Sequence, residues 1–408
     1  MAWEKVRLGD VCKYVTSGGT PLASRADFYN PGTIPWLKTK EVNYSRITET
    51  ENYISELGLA NSSAKLIPAD SVIVAMYGQG DTAGRVAINK IPLCTNQACC
   101  NLVIDEKKAD FEFIYYNLCT LYNKLVSLKN GGAQPNLNAG LIKNLEISVP
   151  SLKTQKRIAD ILSAYDDLIE NNQKQIKLLE EAAQRLYKQW FIDLKFPGHE
   201  TTKIVDGLPE GWKKEKFGDV VDYIRGTSYT SSELSETEGV LMVNLKNINA
   251  FGGYKRDAEK RFVGSYKAKG ALSDGDLIMG CTDMTKERRL VGHVALIPNL
   301  KEPAIFTMDL LKLLPKKLSK NFVYAQCRFG GLSYKISPLA NGANVLHLRP
   351  ENMADIEVLC PDENLVHQFD SIFELMISKI NKLEDQIQLA VESRDRLLPK
   401  LMNNEIEV

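Results

Sequence analysis

The strongest constraint on the fold is a heptad pattern that runs from Thr154 to Lys195. Ten positions recur at alternating spacings of four and three residues, and neither proline nor glycine interrupts the stretch. They are Ile158, Leu162, Tyr165, Ile169, Asn172, Ile176, Leu179, Ala183, Leu186 and Trp190. Such a seam is typical of one long helix that buries a narrow apolar stripe against a partner helix. Roughly 40 residues at 1.5 Å each predict a helix about 60 Å long.

The partner helix is predicted within the same chain, because the same spacings return 211 residues later. The second seam consists of Phe369, Phe373, Met376, Ile380, Leu383, Ile387, Ala390, Arg394, Leu397 and Leu401. Asn172 stands where the second copy has Leu383, and Arg394 where the first has Ala183. A polar seam residue can fix the register of a coiled coil, or it can lie at a solvated rim. The sequence leaves both interpretations open.

The repeat extends into the segments that precede each helix. Matching pairs are WEKVRLGDV and WKKEKFGDV, IPWLKTKEVN and VLMVNLKNIN, GRVAI and GHVAL, and LEISVP and IEVLCP. Short strands and a few helices are expected in both copies. Two copies of a repeat are normally related by a pseudo-twofold axis, which would make the long helices antiparallel. We therefore predict an α+β fold with two similar globular regions and an antiparallel coiled coil, divided at 1–150, 151–197, 198–361 and 362–408.

The ends of the long helices carry recognisable signals. Pro150 and Pro361 end the strands before them. Ser151 or Thr154 is the expected N-cap of the first helix, and Asp362 or Asn364 that of the second. Pro197 is expected to end the first helix and Pro399 to close the second.

Composition favours a cytosolic protein without a metal site. The chain has 408 residues, with eight scattered cysteines and four histidines, and no C-x-x-C pair. Buried free thiols are therefore more plausible than a zinc site. No apolar run reaches membrane-spanning length, and the start lacks a signal-peptide core, so we expect a cytoplasmic location.

Net charge is zero, with 51 basic and 51 acidic side chains, although residues 362–408 carry five basic and ten acidic ones. A neutral chain is not expected to coat nucleic acid alone. The acidic last segment suits a protein partner better than a phosphate backbone.

Common catalytic motifs are missing. The sequence has no P-loop, Rossmann fingerprint, G-x-S-x-G elbow, H-E-x-x-H pair or [ND]-P-P-Y methyltransferase motif, and no Asp…Glu-x-Lys nuclease core stands out. The nearest glycine cluster is YGQGDTAG, Tyr77–Gly84. It lies between two predicted strands, which favours a hairpin loop over a phosphate cradle. We predict that the chain is not an enzyme.

Two similar but non-identical globular regions linked by a helix suit a protein that reads two half-sites of a nucleic acid. Lys and Arg can pair with guanine, and Asn and Gln with adenine. Any one such residue can also be an ordinary surface loop residue. The candidate DNA-binding residues are Thr20, Lys38, Lys40, Tyr77, Gln79, Arg85, Gln134 and Asn136 in the first region, and Arg225, Tyr229, Lys246, Asn247, Arg288, Arg289 and Asn344 in the second.

The chain resembles the specificity subunits of type I restriction–modification systems over essentially its full length. The resemblance rests on the duplicated layout and on the segments GGTP, IPWLKTKEV, GAQPNLN and, above all, VPSLKTQKRIADIL before the first helix. In the second half, the equivalent loop GANVLHL and helix entry CPDENLVHQFDSIF have diverged. Such divergence is expected if each region reads a different half-site.

The resemblance implies two target recognition domains that bind double-stranded DNA. It implies a methyltransferase (M) subunit that uses S-adenosylmethionine to methylate adenine N6, and a restriction (R) subunit that cuts. This chain would have no cofactor, metal or catalytic residue of its own. With helices of this length, the half-sites should lie about 1.5 turns apart, since one turn is ~34–36 Å.

Two other functions remain open. The chain could be an interaction scaffold with two ligand-binding globular regions. A fused methyltransferase is the other, but it would need a cofactor loop that the sequence does not reveal.

Overall fold

The computed structural model describes residues 3–129 and 136–408. The chain divides into two compact units, one of Met1–Asn171 with Ile387–Val408 and one of Asn172–Gln386. Each unit contains one globular region and a part of both long helices. The boundaries between the units therefore fall inside the helices, not at the ends of the four segments predicted from the sequence.

Among its described residues, the first unit contains ten strands and four short α-helices. The strands are β1 (Glu4–Arg7), β2 (Cys12–Ser17), β3 (Ile34–Leu37), β4 (Arg46–Ile47), β5 (Tyr53–Ile54), β6 (Ser71–Ala75), β7 (Val86–Asn89), β8 (Cys94–Thr95), β9 (Cys99–Ile104) and β10 (Glu146–Val149). The helices are α1 (Glu56–Ala60), α2 (Phe111–Thr120), α3 (Tyr122–Ser127) and α4 (Ala139–Lys143).

The main sheet of this unit has the order β2-β9-β6-β7-β4, beside a three-stranded sheet β5-β3-β8 and the pair β1-β10. Strands β6, β7 and β9 are buried along their whole length. Strands enclosed on both faces read as continuous apolar runs, as SVIVA does, rather than as alternating patterns. Helix α2 packs on this sheet, and its buried Phe113 lies in the main core of the unit.

The first long helix is α5 (Leu152–Tyr187), which continues into a π-helical turn at Lys188–Ile192. Ser151 is its cap, because the Ser151 Oγ accepts a hydrogen bond from the Thr154 backbone N–H at 3.3 Å. The helical segment ends at Ile192. The prediction that it reaches Pro197 is therefore wrong, because the backbone turns away at Leu194, where φ is +55°.

The second unit contains fifteen strands and three short α-helices among its described elements. The strands are β11 (Ile204–Val205), β12 (Leu208–Pro209), β13 (Lys213–Lys216), β14 (Val221–Arg225), β15 (Leu234–Ser235), β16 (Val240–Val243), β17 (Lys260–Phe262), β18 (Ala271–Leu272), β19 (Leu277–Gly280), β20 (Thr282–Asp283), β21 (Val294–Leu296), β22 (Ala304–Phe306), β23 (Leu310–Pro315), β24 (Leu346–His347) and β25 (Glu357–Cys360). The helices are α6 (Phe217–Val220), α7 (Lys320–Arg328) and α8 (Leu332–Ile336).

Strand order confirms the internal repeat. The order β14-β23-β19-β21 in the second unit matches β2-β9-β6-β7 in the first. The parallel pair β16 and β22 matches the parallel pair β3 and β8. The pair β13 and β25, which brackets the second globular region, matches β1 and β10. The fold class is α+β, as the sequence predicts.

The second long helix is α9 (Glu363–Met402). Asp362 caps it, because its Oδ1 accepts hydrogen bonds from the backbone N–H groups of Asn364 at 3.0 Å and Leu365 at 3.3 Å. The prediction that Pro399 closes the helix is wrong, since the helix continues to Met402. A proline in the last turn removes only one helical hydrogen bond, so the apolar contacts of Leu401 and Met402 with the core can outweigh it.

The two long helices pair antiparallel in each unit. In the first unit, Ile158 and Leu162 share a core with Leu401 and Met402, whereas Arg394 bonds to Asp166 further along. In the second unit, the Asn172 amide donates to Gln386 Oε1 at 3.1 Å, and the Phe191 and Phe369 rings pack 5.2 Å apart. The partner's number falls as the number along α5 rises. All positions of both predicted seams are buried or half-buried.

Both polar seam residues are paired; Asn172 is buried and Arg394 is half-buried. Asn172 is only 2 % exposed. The Arg394 Nη1 donates to Asp166 Oδ1 at 2.6 Å, and the Tyr116 hydroxyl donates to the other carboxylate oxygen at 2.5 Å. These cross-helix bonds favour a role in fixing the register over a solvated rim position.

Candidate nucleic-acid interface

The GGTP turn of the first globular region is packed against the sheet. Gly18 N–H donates to the Cys99 carbonyl at 3.2 Å, and Gly19 N–H to the Thr95 carbonyl at 2.9 Å. A Cβ atom at Gly18 would lie 2.2 Å from the Thr95 carbonyl oxygen, so only glycine fits there. The turn places Thr20 at the surface, where its hydroxyl donates to Gln97 Oε1.

The two candidate lysines of this region already have partners within the protein. The Lys38 ammonium lies 5.2 Å from the Trp36 ring centroid and donates to Asn52 Oδ1 at 3.1 Å. The Lys40 ammonium pairs with the Glu51 carboxylate. Lys38 is half-buried and Lys40 exposed. Any contact of these groups with DNA must therefore compete with an existing intramolecular contact.

The glycine cluster Tyr77–Gly84 is a hairpin loop between β6 and β7, as predicted. Arg85, at its end, donates through Nη2 to Asp81 Oδ1 at 2.6 Å and through Nη1 to Asn43 Oδ1 at 2.8 Å. The hydrogen bond from Arg85 lowers the pKa of Asp81. Gln79 is exposed and Tyr77 half-buried. The loop is thus held by an ion pair at the protein surface.

Asn136 and Leu137, the first described residues after position 129, lie beside the hairpin loop of the first region. Leu137 N–H donates to the Met76 carbonyl at 3.0 Å, one residue before Tyr77. Asn136 is exposed beside this contact. The structure therefore brings Asn136 close to the base of the hairpin loop, whereas Gln134 lies outside the described residues.

In the second globular region, the equivalent loop is residues 284–290, which we call the arginine loop because it contains Arg288 and Arg289. The fully buried Asp283 carboxylate precedes it. It accepts hydrogen bonds from Thr285 N–H at 2.7 Å, Leu290 N–H at 2.6 Å and Val291 N–H at 3.2 Å. Burial alone would raise the pKa of Asp283, but these bonds outweigh burial and lower it.

Two further candidates, Arg225 and Asn344, lie at the same edge. Strand β20 pairs with β24, so Asp283 stands opposite Leu346, next to the loop that exposes Asn344. The Leu348 N–H donates to the Cys281 carbonyl at 2.8 Å, which repeats the Leu137–Met76 contact of the first region. The Arg225 guanidinium lies 3.8 Å from the Cys281 sulfur. The structure thus assembles Arg225, Arg288, Arg289 and Asn344 from separate segments.

The other candidates of the second region differ in accessibility. Lys246 is exposed, and the half-buried Tyr229 hydroxyl accepts a hydrogen bond from the Lys260 ammonium at 2.9 Å. Asn247 is fully buried. Its amide bonds to the Asn244 N–H at 2.9 Å and to the Lys255 carbonyl at 2.9 Å, so it supports the local turn and cannot reach DNA. We remove Asn247 from the candidate set for that reason.

An arginine of the first globular region binds the long helix that follows this region. The Arg46 side chain is 6 % exposed and pairs with Asp167 and, at 3.8 Å, with Glu170 on α5. It also lies 3.4 Å from the Glu112 carboxylate of α2. Burial raises the pKa of Glu112, although Arg46 and Lys90 oppose that rise.

The second region has an equivalent contact. Arg256 pairs through Nε with Glu384 at 2.7 Å and through Nη1 with Asp385 at 2.7 Å, both on α9. In each unit, therefore, a forked guanidinium fixes a globular region on the helix that comes next in the chain. We call Arg46 and Arg256 the arginine clamps.

Comparison with known proteins shows similarity to one family. Residues 2–181 match the model of the type I restriction modification DNA specificity domain. The MjaIX specificity subunit of Methanocaldococcus jannaschii is 26 % identical over 430 residues, which cover 100 % of this chain and 94 % of that protein. The EcoR124I/EcoR124II specificity subunit of Escherichia coli is 30 % identical over 199 residues, 48 % of either chain. Over its full length, the chain is thus similar to type I specificity subunits.

The fold shows the same similarity. The crystal structure of the type I S subunit from M. genitalium superimposes with a TM-score of 0.66 at 16 % identity, covering 98 % of this chain and 96 % of that one. At that identity the likeness concerns the fold alone. The resemblance to specificity subunits predicted from the sequence is confirmed.

Two other observations concern the described residues of this chain. Within residues 3–129 and 136–408, no group of three or more His, Cys, Asp or Glu side chains is placed to hold a metal ion. Across the same ranges, none of the helices combines the length and the apolar character needed to cross a membrane.

Sequence reasoning missed the residues that hold the loops and clamps. Thr285 donates its hydroxyl to Asp283 Oδ1 at 2.7 Å, and Asn43 supports Arg85. The Asp-x-Thr spacing of Asp283 and Thr285 is a local turn signal that could have revealed the first contact. The clamps Arg46 and Arg256 leave no such signal, because their partners on the long helices are more than 100 residues away.

Proposed function

We propose that this chain is the DNA sequence-recognition subunit of a type I restriction–modification complex. Each globular region would read one half of a bipartite, asymmetric target in double-stranded DNA. The observation that carries the proposal is the repeat itself: one strand order occurs twice, but the two hairpin loops present different side chains. A duplicated scaffold with divergent loops suits two different half-sites.

The side chains at the two edges have the chemistry that base readout requires. Arg225, Arg288 and Arg289 in the second region can donate to guanine O6 and N7. Asn344 there, and Gln79 and Asn136 in the first region, can make paired hydrogen bonds to adenine.

Arg85 is held by two intramolecular partners, which would present its guanidinium in one orientation. Lys40 and Lys246 are better suited to phosphate contacts, which position the protein without specifying sequence.

The chemistry would belong to partner subunits. We propose an M subunit that binds S-adenosylmethionine and methylates adenine N6, and an R subunit that cleaves DNA, both acting in the cytoplasm. The relatives support this, since they are named as specificity subunits of type I restriction enzymes. The acidic last segment, with ten acidic and five basic side chains, fits a surface for protein partners.

A domain exchange tests the proposal. Residues 1–150 would be replaced by the equivalent segment of a relative, and the chimera would be co-expressed with the M subunit. Mapping of N6-methyladenine should show a change in one half of the methylated sequence only. A change in both halves, or in neither, would contradict the assignment of one half-site to each region. It would then favour a scaffold that binds other ligands.

The long helices are proposed to set the spacing of the half-sites. Removing one heptad from α5 and one from α9 shortens each helix by about 10 Å, which corresponds to about three base pairs. The unread spacer of the methylated sequence should shorten accordingly. An unchanged spacer would show that something other than helix length sets it.

A further inference from the structure

The arginine loop of the second globular region is held from its base by one enclosed carboxylate. Asp283 is fully buried and receives four hydrogen bonds, three from backbone N–H groups and one from a hydroxyl. We propose that Asp283 is a positioning residue that presents the arginine loop to the second half-site, and that this loop is the main specificity element of the second region. The inference rests on the proposed function.

Both ends of the loop are attached to this carboxylate. Oδ1 accepts from the N–H and hydroxyl of Thr285 at the start of the loop, both at 2.7 Å. Oδ2 accepts from Leu290 N–H at 2.6 Å and Val291 N–H at 3.2 Å at the end of the loop. A single ionised group therefore closes the loop and fixes where its intervening side chains emerge.

A second set of bonds crosses the loop. The Thr285 Oγ1, while donating to Asp283, accepts from Arg289 N–H at 3.2 Å. The Arg289 carbonyl accepts from Phe251 N–H at 2.8 Å, which ties the loop to a neighbouring segment. Arg288 has a left-handed backbone with φ of +52°. That conformation is disfavoured for residues other than glycine and needs such support.

The arginine loop exposes both an apolar side chain and basic side chains. Met284 is 80 % exposed, and Lys286 and Arg289 are also exposed. An arginine can pair with the O6 and N7 atoms of guanine, and an apolar side chain can contact the thymine methyl group. The loop is therefore suited to the major-groove edge of a sequence that contains guanine and thymine.

The loop that contains Asn344 lies beside the arginine loop because β24 pairs with β20. Asp283 lies opposite Leu346 in the β20–β24 pair, and Asn341 N–H donates to the His347 carbonyl at 3.1 Å. Asn344 lies within the loop that these contacts close. A shift of Asp283 would thus disturb both polar loops at this edge, and the first globular region would keep its own hairpin loop.

The test uses the complex of the full chain with its M subunit, and Asp283→Asn, Thr285→Val and Thr285→Ser variants. Thr285→Val removes the hydroxyl at nearly constant volume, whereas Thr285→Ser keeps it. Asp274→Asn is the matched control, because Asp274 is exposed in the same region. The readout is the ratio of kcat/KM on the cognate duplex to that on duplexes substituted at one position of either half-site.

Asp283→Asn and Thr285→Val should lower this ratio about tenfold at the second half-site and leave the first half-site unchanged. Thr285→Ser and Asp274→Asn should retain the wild-type ratios. Equal losses at both half-sites, or retained ratios in both Asp283→Asn and Thr285→Val, would overturn the inference.

The surface substitution Arg289→Gln keeps the test decisive if Asp283→Asn does not fold, because it alters no core contact. It should lower the ratio at the second half-site only, and a retained ratio would count against the arginine loop as the specificity element. The wild-type complex distinguishes a failure of the proposed function from a failure of the role proposed for Asp283. If it methylates without any sequence preference, the proposed function itself fails.

Discussion

The two globular regions share a strand order but hold their hairpin loops in different ways. In the first, the Asp81–Arg85 pair lies at the surface, where the Asp81 side chain is 73 % exposed. In the second, the buried Asp283 carboxylate binds both ends of the arginine loop. The structure of the hairpin loop is therefore independent of the sheet, because the same strand order occurs with two different sets of loop contacts. A protein that must change its specificity without losing its fold benefits from that independence.

The arginine clamps show the opposite behaviour. Both globular regions use a guanidinium to bind two carboxylates of a long helix, although the Arg46 side chain is 6 % exposed and that of Arg256 is 19 % exposed. The contact between region and helix is thus retained in both copies while the loops diverge. The two copies therefore share their mode of attachment to a long helix but differ in their loop supports.

The largest expected effect concerns the clamps. Arg46→Ala should lower the free energy of unfolding by about 3 kcal/mol, because it leaves the largely buried Glu112 carboxylate without its guanidinium partner. Arg256→Ala should lower it by about 1 kcal/mol, since Glu384 and Asp385 retain partial access to solvent. Urea denaturation of each variant measures both values. Equal losses in the free energy of unfolding would mean that the deeper burial of Arg46 does not make its ion pairs more stabilising than those of Arg256.

A smaller but still clear difference is expected between the loop supports. Asp283→Ala should destabilise the protein by about 2 kcal/mol, because three backbone N–H groups lose their acceptor in a buried site. Asp81→Ala should change the stability little, because water can replace the carboxylate at the surface. Thermal unfolding of the two variants provides the comparison. A larger loss of stability in Asp81→Ala than in Asp283→Ala would contradict the conclusion that the buried carboxylate is the stronger loop support.

The smallest effect is a dependence on pH. The folded pKa of Asp283 lies below its unfolded value of about 3.9, because hydrogen bonds outweigh burial. Its contribution to stability is therefore complete above the unfolded pKa and is lost as the pH falls through the folded pKa.

The stability difference between the wild type and Asp283→Asn should shrink as the pH is lowered from about 5 towards the folded pKa. Unfolding curves at several acidic pH values measure this difference. A difference that grows on acidification would contradict the proposed ionised state of Asp283.

Local and periodic features of the fold were accessible from the sequence. The heptad seams predicted two long helices, and the repeated segments predicted matching strands, because both signals depend on side-chain spacing. The caps were narrowed to two residues each, and the structure selects Ser151 and Asp362. The prediction that Pro399 ends the second long helix is wrong, because the core contacts of Leu401 and Met402 extend the helix beyond it.

The candidate interface was only partly accessible. Residue type selected Arg288 and Arg289, which lie in the arginine loop, but it also selected Asn247, whose amide forms hydrogen bonds within a buried turn. Whether an asparagine faces solvent or the backbone depends on tertiary packing, which residue type does not encode. The clamps were missed for the same reason, since Arg46 meets Asp167 only after the region folds onto its helix.

The central claim is that two structurally equivalent regions read two different half-sites. The most direct test is to co-express the wild-type chain with its M subunit and to map N6-methyladenine across a genome. The account predicts one bipartite, asymmetric sequence with a fixed unread spacer. A continuous methylated sequence, a symmetric one, or no sequence-specific methylation would contradict it.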